Sequence, residues 1–403
     1  MSESFKGIKV TDSVYWVGAI DWDVRNFHGY LTSRGSTYNA FLVLGDKVTL
    51  VDTVKAPFKS EMFARIASVI DPQKIDYIIS NHAEMDHSGC LPDTIEFVKP
   101  EKVFTSRMGQ KALTEHFHMD PSSLTAVDEG ESVDLGGKKF TFVETKMCHW
   151  PDSMVSYLHE DAVMFSQDAF GMHLASHERF IDELDRSITD YESLKYYANI
   201  LTPLGTFIEK ALAKLTSLDL KIDVVAPDHG PLLRRPEDIG GIIKSYAKWS
   251  KQPATDKAVV IYDSMWGSTQ KMARAIGEGL SAGGAKVQMF PMNGTHRSDV
   301  ITELLEAGAI VVGSPTMNNG ILPTIADVMC YIKGLKPQNL AGGAFGSYGW
   351  SGEAPKIINA TLEEMGVEIA ADALRIMYVP DDQQMSECRE FGLKIAGKMK
   401  GKL

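Results

Sequence analysis

The sequence predicts an α/β protein of two domains, the second a doubly wound parallel sheet. Three observations carry this. At 403 residues, the chain is long for a single hydrophobic core. A polar stretch with one proline, KWSKQPATDK at 248–257, separates two different patterns. Beyond it, β-rich apolar runs alternate regularly with amphipathic helical ones. The expected division is residues 1–250 and 256–403.

In the first half, SVYWVGAI reads as a strand. TYNAFLVLGDKVTLVDTV reads as a hairpin turning at Gly45-Asp46. SEMFARIASVI has helical spacing of its apolar residues. Four strand-like runs then each end on polar groups. IDYIIS runs into NHAEMDH, FTFVET toward His149, AVMFSQ into Asp168, and KIDVVA into Pro227-Asp228-His229-Gly230. A rigid sheet aiming residues from loops at its edge is how layered folds build sites. In the second half the strands are AVVIYDS, KVQMFPM, AIVVGSPT, LAGGAFGS and ALRIMYVP. The intervening and closing helices are TQKMARAIGEGL, DVITELLEAG, TIADVMCYIKGL, IINATLEEMG and ECREFGLKIAGKM. The basic KMKGKL end complements the closing helix dipole.

Composition narrows the function. The net charge is -12, which argues against nucleic acid and anionic membranes as partners, since both demand a basic footprint. The start, MSESFKGIKV, lacks the apolar core of a signal peptide, and no run approaches the ~20 apolar residues of a membrane span. The four cysteines, Cys90, Cys148, Cys330 and Cys388, are scattered. With no CxxC pair, a zinc ribbon, a rubredoxin-type site and a compact iron–sulfur cluster are excluded. Packed thiols of this kind fit a reducing cytoplasm.

The densest chemical signal is His82-x-Glu84-x-Asp86-His87, four potential ligands in six residues. Imidazole with carboxylate suits zinc, iron or manganese. Taken singly, His149, Asp168 or His229 is a packed strand-end residue. Beside the loop cluster they become ligands, because so many close polar groups need a cation to offset their burial. Six or seven ligands exceed one tetrahedral zinc and suit two metals, with Asp168 as the candidate bridge.

A second constellation lies beyond residue 256. AVVIYDS runs into Ser264-Met265-Trp266-Gly267-Ser268-Thr269, and a helix follows at once. Hydroxyls and free N–H groups at a helix N-terminus cradle an anion. There is no lysine for a triphosphate loop and no GxGxxG, so a single phosphate monoester, as in FMN, is the fit. Ser/Thr/Gly turns are also common helix caps. Two further strand ends converge at the switch point of such a sheet. One runs through Pro315 and Thr316 to Met317, Asn318 and Asn319, and the other through Ser347 and Tyr348 to Gly349, Trp350 and Gly352. Their backbone groups and aromatics suit a planar ring.

The first motif resembles that of the metallo-β-lactamase fold, usually His-x-His-x-Asp-His, with Glu84 in place of the second histidine. That departure, and the flavodoxin-like second half, resemble the flavodiiron proteins, or A-type flavoproteins. The resemblance covers nearly the whole chain. It implies a metallo-β-lactamase-like αβ/βα sandwich followed by a flavodoxin-like domain. It implies two irons, one on His82, Glu84 and His149, the other on Asp86, His87 and His229, bridged by Asp168. The hard oxygen of Glu84 favours iron over hydrolytic zinc. His28, in FHGY, and Tyr197, in KYYANI, look like family positions lining the distal pocket. The alternative for them is a satisfied histidine and a core aromatic, and His173 and His177 read as surface or structural residues.

By the same resemblance the chain is an oxidoreductase. Electrons pass from an external donor through FMN to the irons, which reduce dioxygen to water, nitric oxide to nitrous oxide, or both. A small rubredoxin is the leading donor and a reduced deazaflavin the other, and the family's head-to-tail homodimer is expected. Two rivals remain: a zinc hydrolase with an accessory flavodoxin domain, and a flavodoxin-type electron carrier.

Overall fold

The computed structural model describes residues 5–403, so the first four residues of the MSESFKGIKV start lie outside the described residues. The chain forms two compact units. One comprises Met1–His28, Thr32–Tyr196 and Leu204–Ala247; the other comprises Gly29–Leu31, Tyr197–Pro203 and Lys248–Leu403.

Two sheets face each other in the first unit. The larger is seven-stranded, in the order Ile8–Lys9, Val14–Trp16, Phe41–Val43, Val48–Val51, Ile75–Ser80, Lys102–Ser106, Thr125–Val127. Its hairpin pairs Phe41 with Val51 across the Gly45-Asp46 turn, and its last three ladders are parallel. The smaller sheet is five-stranded, in the order Ser132–Asp134, Lys139–Glu144, Met154–Leu158, Val163–Gln167, Val224–Pro227. One apolar core lies between them: Trp16, Phe41 and Ile79 come from the larger sheet, and Phe140, Phe165 and Ala226 from the smaller. Strands buried on both faces read as near-continuous apolar runs rather than as alternation. On the outer face of the larger sheet, Met62, Ile66, Leu91, Val98 and Leu113 pack from the helices Lys59–Ala67, Leu91–Val98 and Arg107–Phe117. Helix, sheet, sheet, helix is the αβ/βα layering that places loops along one sheet edge.

The second unit is the doubly wound sheet. Its strands run in the order Lys286–Pro291, Lys257–Tyr262, Ala309–Gly313, Ala341–Tyr348, then the outer edge. All these ladders are parallel. This is the flavodoxin-like order, with its switch point between the first and third strands in sequence. Separate cores fill the two faces: Ile301, Ile325 and Ile358 on one, and Met272, Ile276 and Ile395 on the other. The expected final strand differs in detail. It comes as two pieces, Glu368–Ile369 and Leu374–Met377, both on Ala341–Tyr348, and the pairing offset grows by two residues between them. The extra residues leave the ladder as a bulge-like detour.

Candidate metal centre and flavin cavity

Four strand ends deliver the polar cluster. After Ile75–Ser80 the chain stays extended to Glu84 (φ −61, ψ 144) and then closes one helical turn, Met85–Ser88. His82 and Glu84, two apart on extended chain, project to the same side. Asp86 and His87 project from the helical turn. That change of backbone splits the motif into two pairs. Val163–Gln167 presents Asp168, Val224–Pro227 presents His229, and the loop between Lys139–Glu144 and Met154–Leu158 presents His149.

The seven side chains fall into two groups, His82, Glu84, His149 and Asp168 on one side and Asp86, His87 and His229 on the other. Asp168 joins them. Its Oδ2 lies 3.3 Å from His82 Nε2 and 3.0 Å from His149 Nε2. Its Oδ1 lies 3.2 Å from His87 Nε2 and 3.4 Å from His229 Nε2. Glu84 Oε2 completes the first group, 3.4 Å from His82 Nε2 and 3.1 Å from His149 Nε2. Asp86 Oδ2 completes the second, 3.2 Å from His87 Nε2 and 3.1 Å from His229 Nε2.

Each Nε2 thus faces two carboxylate oxygens at once. One N–H points along one line and serves two acceptors poorly. A cation at the centre of each group serves all four atoms: ligands bound at about 2.1 Å and at right angles lie about 3 Å apart. Asp86 Oδ1 and Oδ2, Asp168 Oδ1, and Nε2 of His82 and His87 are buried without a hydrogen-bond partner. Two imidazoles and two carboxylate oxygens per group, with room for further ligands, match non-haem iron.

The electrostatics point the same way. Burial pushes the Asp168 carboxyl up, but the charge of His87 and contacts from His149 and His82 hold it well below the usual range. Burial likewise works against Glu84, yet His149 and His82 bring it down to about 2. For His149, burial lowers and Asp168 and Glu84 raise, with a net rise to about 9. The carboxylates are thus held as anions against positive charge on the imidazoles.

The outward nitrogens of the rings are also held. His82 Nδ1 donates to Asp152 Oδ2 at 3.0 Å, and His229 Nδ1 donates to the Thr37 carbonyl at 2.6 Å. Both bonds put the proton on Nδ1 and leave the Nε2 lone pair for a metal. His87 Nδ1 faces Asp228 Oδ2 at 3.5 Å.

In the second unit, a cavity of about 670 Å³ opens at the switch point. Of the predicted residues, Met265, Trp266, Ser268, Pro315, Thr316, Asn318, Asn319, Ser347, Tyr348, Gly349 and Trp350 line it. Ser264 and Gly267 instead line a neighbouring hollow of about 320 Å³, where Gly267 (φ 85) opens the helix Ser268–Ala282. Thr269 is buried, with its hydroxyl 2.9 Å from that of Ser347. Met317 pairs through its backbone with Gly320, and Gly352 takes a φ of 150°. Trp266 is 95% exposed and Trp350 89%, so two large rings stand beside the cavity without a packing partner. A planar apolar ligand covers such rings, and the helix N-terminus takes its phosphate.

Comparison with known proteins agrees with both halves. Residues 36–230 match the family model described as ODP family beta lactamase, and residues 260–392 match Flavodoxin. The chain is 44% identical to rubredoxin-oxygen oxidoreductase of Megalodesulfovibrio gigas, covering 98% of each chain. It is 43% identical to nitric oxide reductase of Moorella thermoacetica, covering 97% of this chain and 98% of that one. The crystal structure of the flavodiiron protein from Giardia intestinalis superposes with a TM-score of 0.94 at 30% identity, covering 100% of this chain and 98% of that one. The chain belongs to the flavodiiron proteins.

A flavodiiron oxidoreductase carries FMN and two irons per chain, and the donor atoms above fit both. The zinc hydrolase and the free-standing electron carrier are set aside, because the match runs end to end over reductases that contain both halves. Among the described residues no helix is long and apolar enough to cross a membrane.

Of the two residues expected to line the distal pocket, Tyr197 packs against Trp249, ring centroids 5.2 Å apart. Its neighbour Tyr196 faces the metal centre instead, with ring centroids 5.1 Å from His173 and 6.1 Å from His229. Adjacent helical residues point about 100° apart, so the two tyrosines present their rings to different neighbours. His28 does reach the cluster: its exposed Nε2 lies 3.3 Å from Glu84 Oε1. His173 is not a surface residue. It is buried against His229, ring centroids 4.6 Å apart, with Nδ1 2.8 Å from the Ser36 hydroxyl. His177 packs on Trp22, ring centroids 5.2 Å apart.

Sequence reasoning missed Asp152, Asp228 and Thr37 behind the ligand rings. It also missed Tyr378 and Val379 in the wall of the flavin cavity. The one available signal was position, since Asp152 follows His149 by three residues and Asp228 precedes His229.

Proposed function

We propose that this flavodiiron protein reduces dioxygen to water, nitric oxide to nitrous oxide, or both, at two irons fed with electrons by FMN. The observation that carries the reading is Asp168, each of whose carboxylate oxygens faces two imidazole Nε2 atoms. His82, Glu84 and His149 would hold one iron, and Asp86, His87 and His229 the other, with Asp168 between. When bound, FMN would supply electron transfer and the two irons the reduction of a small oxidant, which takes four electrons per dioxygen or two per pair of nitric oxides.

The residues do the positioning. The Nδ1 hydrogen bonds of His82 and His229 fix each ring's tautomer and aim. Glu84, Asp86 and Asp168 would supply anionic oxygen against the metal charge, which would favour the more oxidised ions. His28, exposed beside Glu84, would relay protons between solvent and the site, and Tyr196, beside His229, would line it from within. Ser268 and the helix N-terminus would take the FMN phosphate, and Trp266, Trp350 and Tyr348 would flank its ring.

The donor is a small redox partner. Rubredoxin is favoured by the name of the Megalodesulfovibrio relative, with a reduced deazaflavin as the other reading. A head-to-tail homodimer would set the FMN of one subunit opposite the irons of its partner. The free thiols of Cys90, Cys148, Cys330 and Cys388 favour a cytoplasmic setting. Steady-state consumption of each gas by one preparation, with reduced rubredoxin as donor, tests the proposal. Rubredoxin oxidation in step with gas loss supports it; a preparation holding iron and FMN that consumes neither gas overturns it.

A further inference from the structure

We propose that Asp152 is a positioning residue that locks together the two loops carrying His82, Glu84 and His149, and thereby makes the two iron positions unequal. The inference rests on the reading of the seven side chains as iron ligands.

Asp152 is 2% exposed. Its Oδ2 accepts His82 Nδ1–H at 3.0 Å and the Ala83 backbone N–H at 2.7 Å. Both donors belong to the loop that leaves the larger sheet. Asp152 itself lies in the loop that leaves the smaller sheet, three residues after His149. A single carboxylate oxygen therefore ties together two ligand-bearing loops from two different sheets. The Asp152 backbone is anchored in turn: the Ser106 hydroxyl donates to its carbonyl at 2.7 Å while accepting the Gly109 N–H at 2.9 Å as cap of the helix Arg107–Phe117.

The other group has no equal to this. The nearest carboxylate oxygen to His87 Nδ1 is Asp228 Oδ2 at 3.5 Å, beyond the usual range of a charge-assisted hydrogen bond. His229 rests on a neutral carbonyl, that of Thr37. A carboxylate on the outward nitrogen fixes the ring and makes the inward nitrogen a better donor, and losing such a partner costs about 10–100-fold in metal affinity. That support is concentrated on His82, so the ion on His82, Glu84 and His149 depends on Asp152 and the other does not.

The test is iron release from the FMN-loaded protein into a ferrous chelator, with Mössbauer spectra of the same samples. In Asp152→Asn one of the two ions is expected to leave about 10–100-fold faster while the other keeps the wild-type rate, and one of the two iron signals changes. Asp152→Glu, which keeps the charge, is expected to recover much of the difference and covers the case in which the amide variant folds poorly. Ser106→Ala removes the anchor but not the carboxylate; it is expected to lower the melting temperature and leave iron release unchanged. Wild-type release of both ions from Asp152→Asn overturns the inference. So does equal acceleration of both ions with a melting loss like that of Ser106→Ala, which marks a merely structural aspartate. Wild-type protein that holds no iron fails earlier and overturns the ligand reading itself.

Discussion

The metal centre and the flavin cavity are built on opposite principles. The metal centre is buried and crowded with polar atoms: His82, His87 and Asp168 are 1%, 1% and 3% exposed. Each imidazole Nε2 faces two carboxylate oxygens, an arrangement that a cation at the centre serves better than a shared proton. The flavin cavity is open, with Trp266 and Trp350 almost fully in solvent and its polar groups, among them Ser268, Thr316, Asn318 and Ser347, spread along its wall. One site needs its ligand for electrostatic reasons and the other for hydrophobic and shape reasons. Losing the ligand should therefore destabilise the first site far more than the second.

The largest effect is expected at the bridge. Asp168→Ala removes an oxygen from each group, so iron content should collapse and gas consumption fall by more than about 100-fold, beyond the range for an outer partner. Bound FMN, measured by absorbance, should stay at the wild-type level. Loss of FMN along with iron would show that the two sites are not independent.

Stripping iron from the wild type comes next. Ligand linkage is worth about 4 kcal/mol per ion held at a thousand times its dissociation constant. For a domain of this size that lowers the melting midpoint by roughly 10 °C, readable by calorimetry. Removing FMN instead should lower the midpoint of its own domain and leave that of the metal domain unchanged.

A smaller effect is expected at Gly267. Nothing lies within 4 Å of a Cβ added there, so the cost of Gly267→Ala comes from its φ of 85° alone. A left-handed conformation costs a non-glycine residue about 1–2 kcal/mol, which weakens FMN binding about 5–30-fold if that conformation is needed to hold the phosphate. Fluorescence titration of the FMN-free protein measures it, and unchanged affinity would move the phosphate elsewhere. The smallest effect is expected for Trp350→Ala. Loss of one ring contact is worth about 0.5–1.5 kcal/mol, or about 2–10-fold in FMN affinity, with iron untouched.

The same contrast explains what the sequence made legible. His82, Glu84, Asp86 and His87 could be read directly, because ligand chemistry concentrated in six residues has few other uses. The flavin loops were visible as glycine, hydroxyl and aromatic residues at the ends of strands whose alternation with helices sets the sheet. What stayed hidden depends on distant loops meeting or on helix phase. His82 and Asp152 are separated by 70 residues, and His229 and Thr37 by 192, so no local pattern announces either bond. KYYANI offers two adjacent tyrosines, and only the phase of the helix Arg186–Ile200 decides that Tyr196 faces His229. Tyr378 reaches the cavity because the last strand breaks in two and the chain then takes a φ of 58° there, neither of which the run ALRIMYVP betrays.

On the proposed reading, electrons held on FMN reach a gas only through the two irons. Single-turnover mixing tests it most directly: protein loaded with FMN, with and without iron, is reduced anaerobically and mixed with nitric oxide while flavin absorbance is followed. Fast flavin reoxidation with nitrous oxide formed is expected in the iron-loaded sample, and a flavin that stays reduced in the iron-free one. Equal reoxidation in both, with nitrous oxide from each, would contradict it.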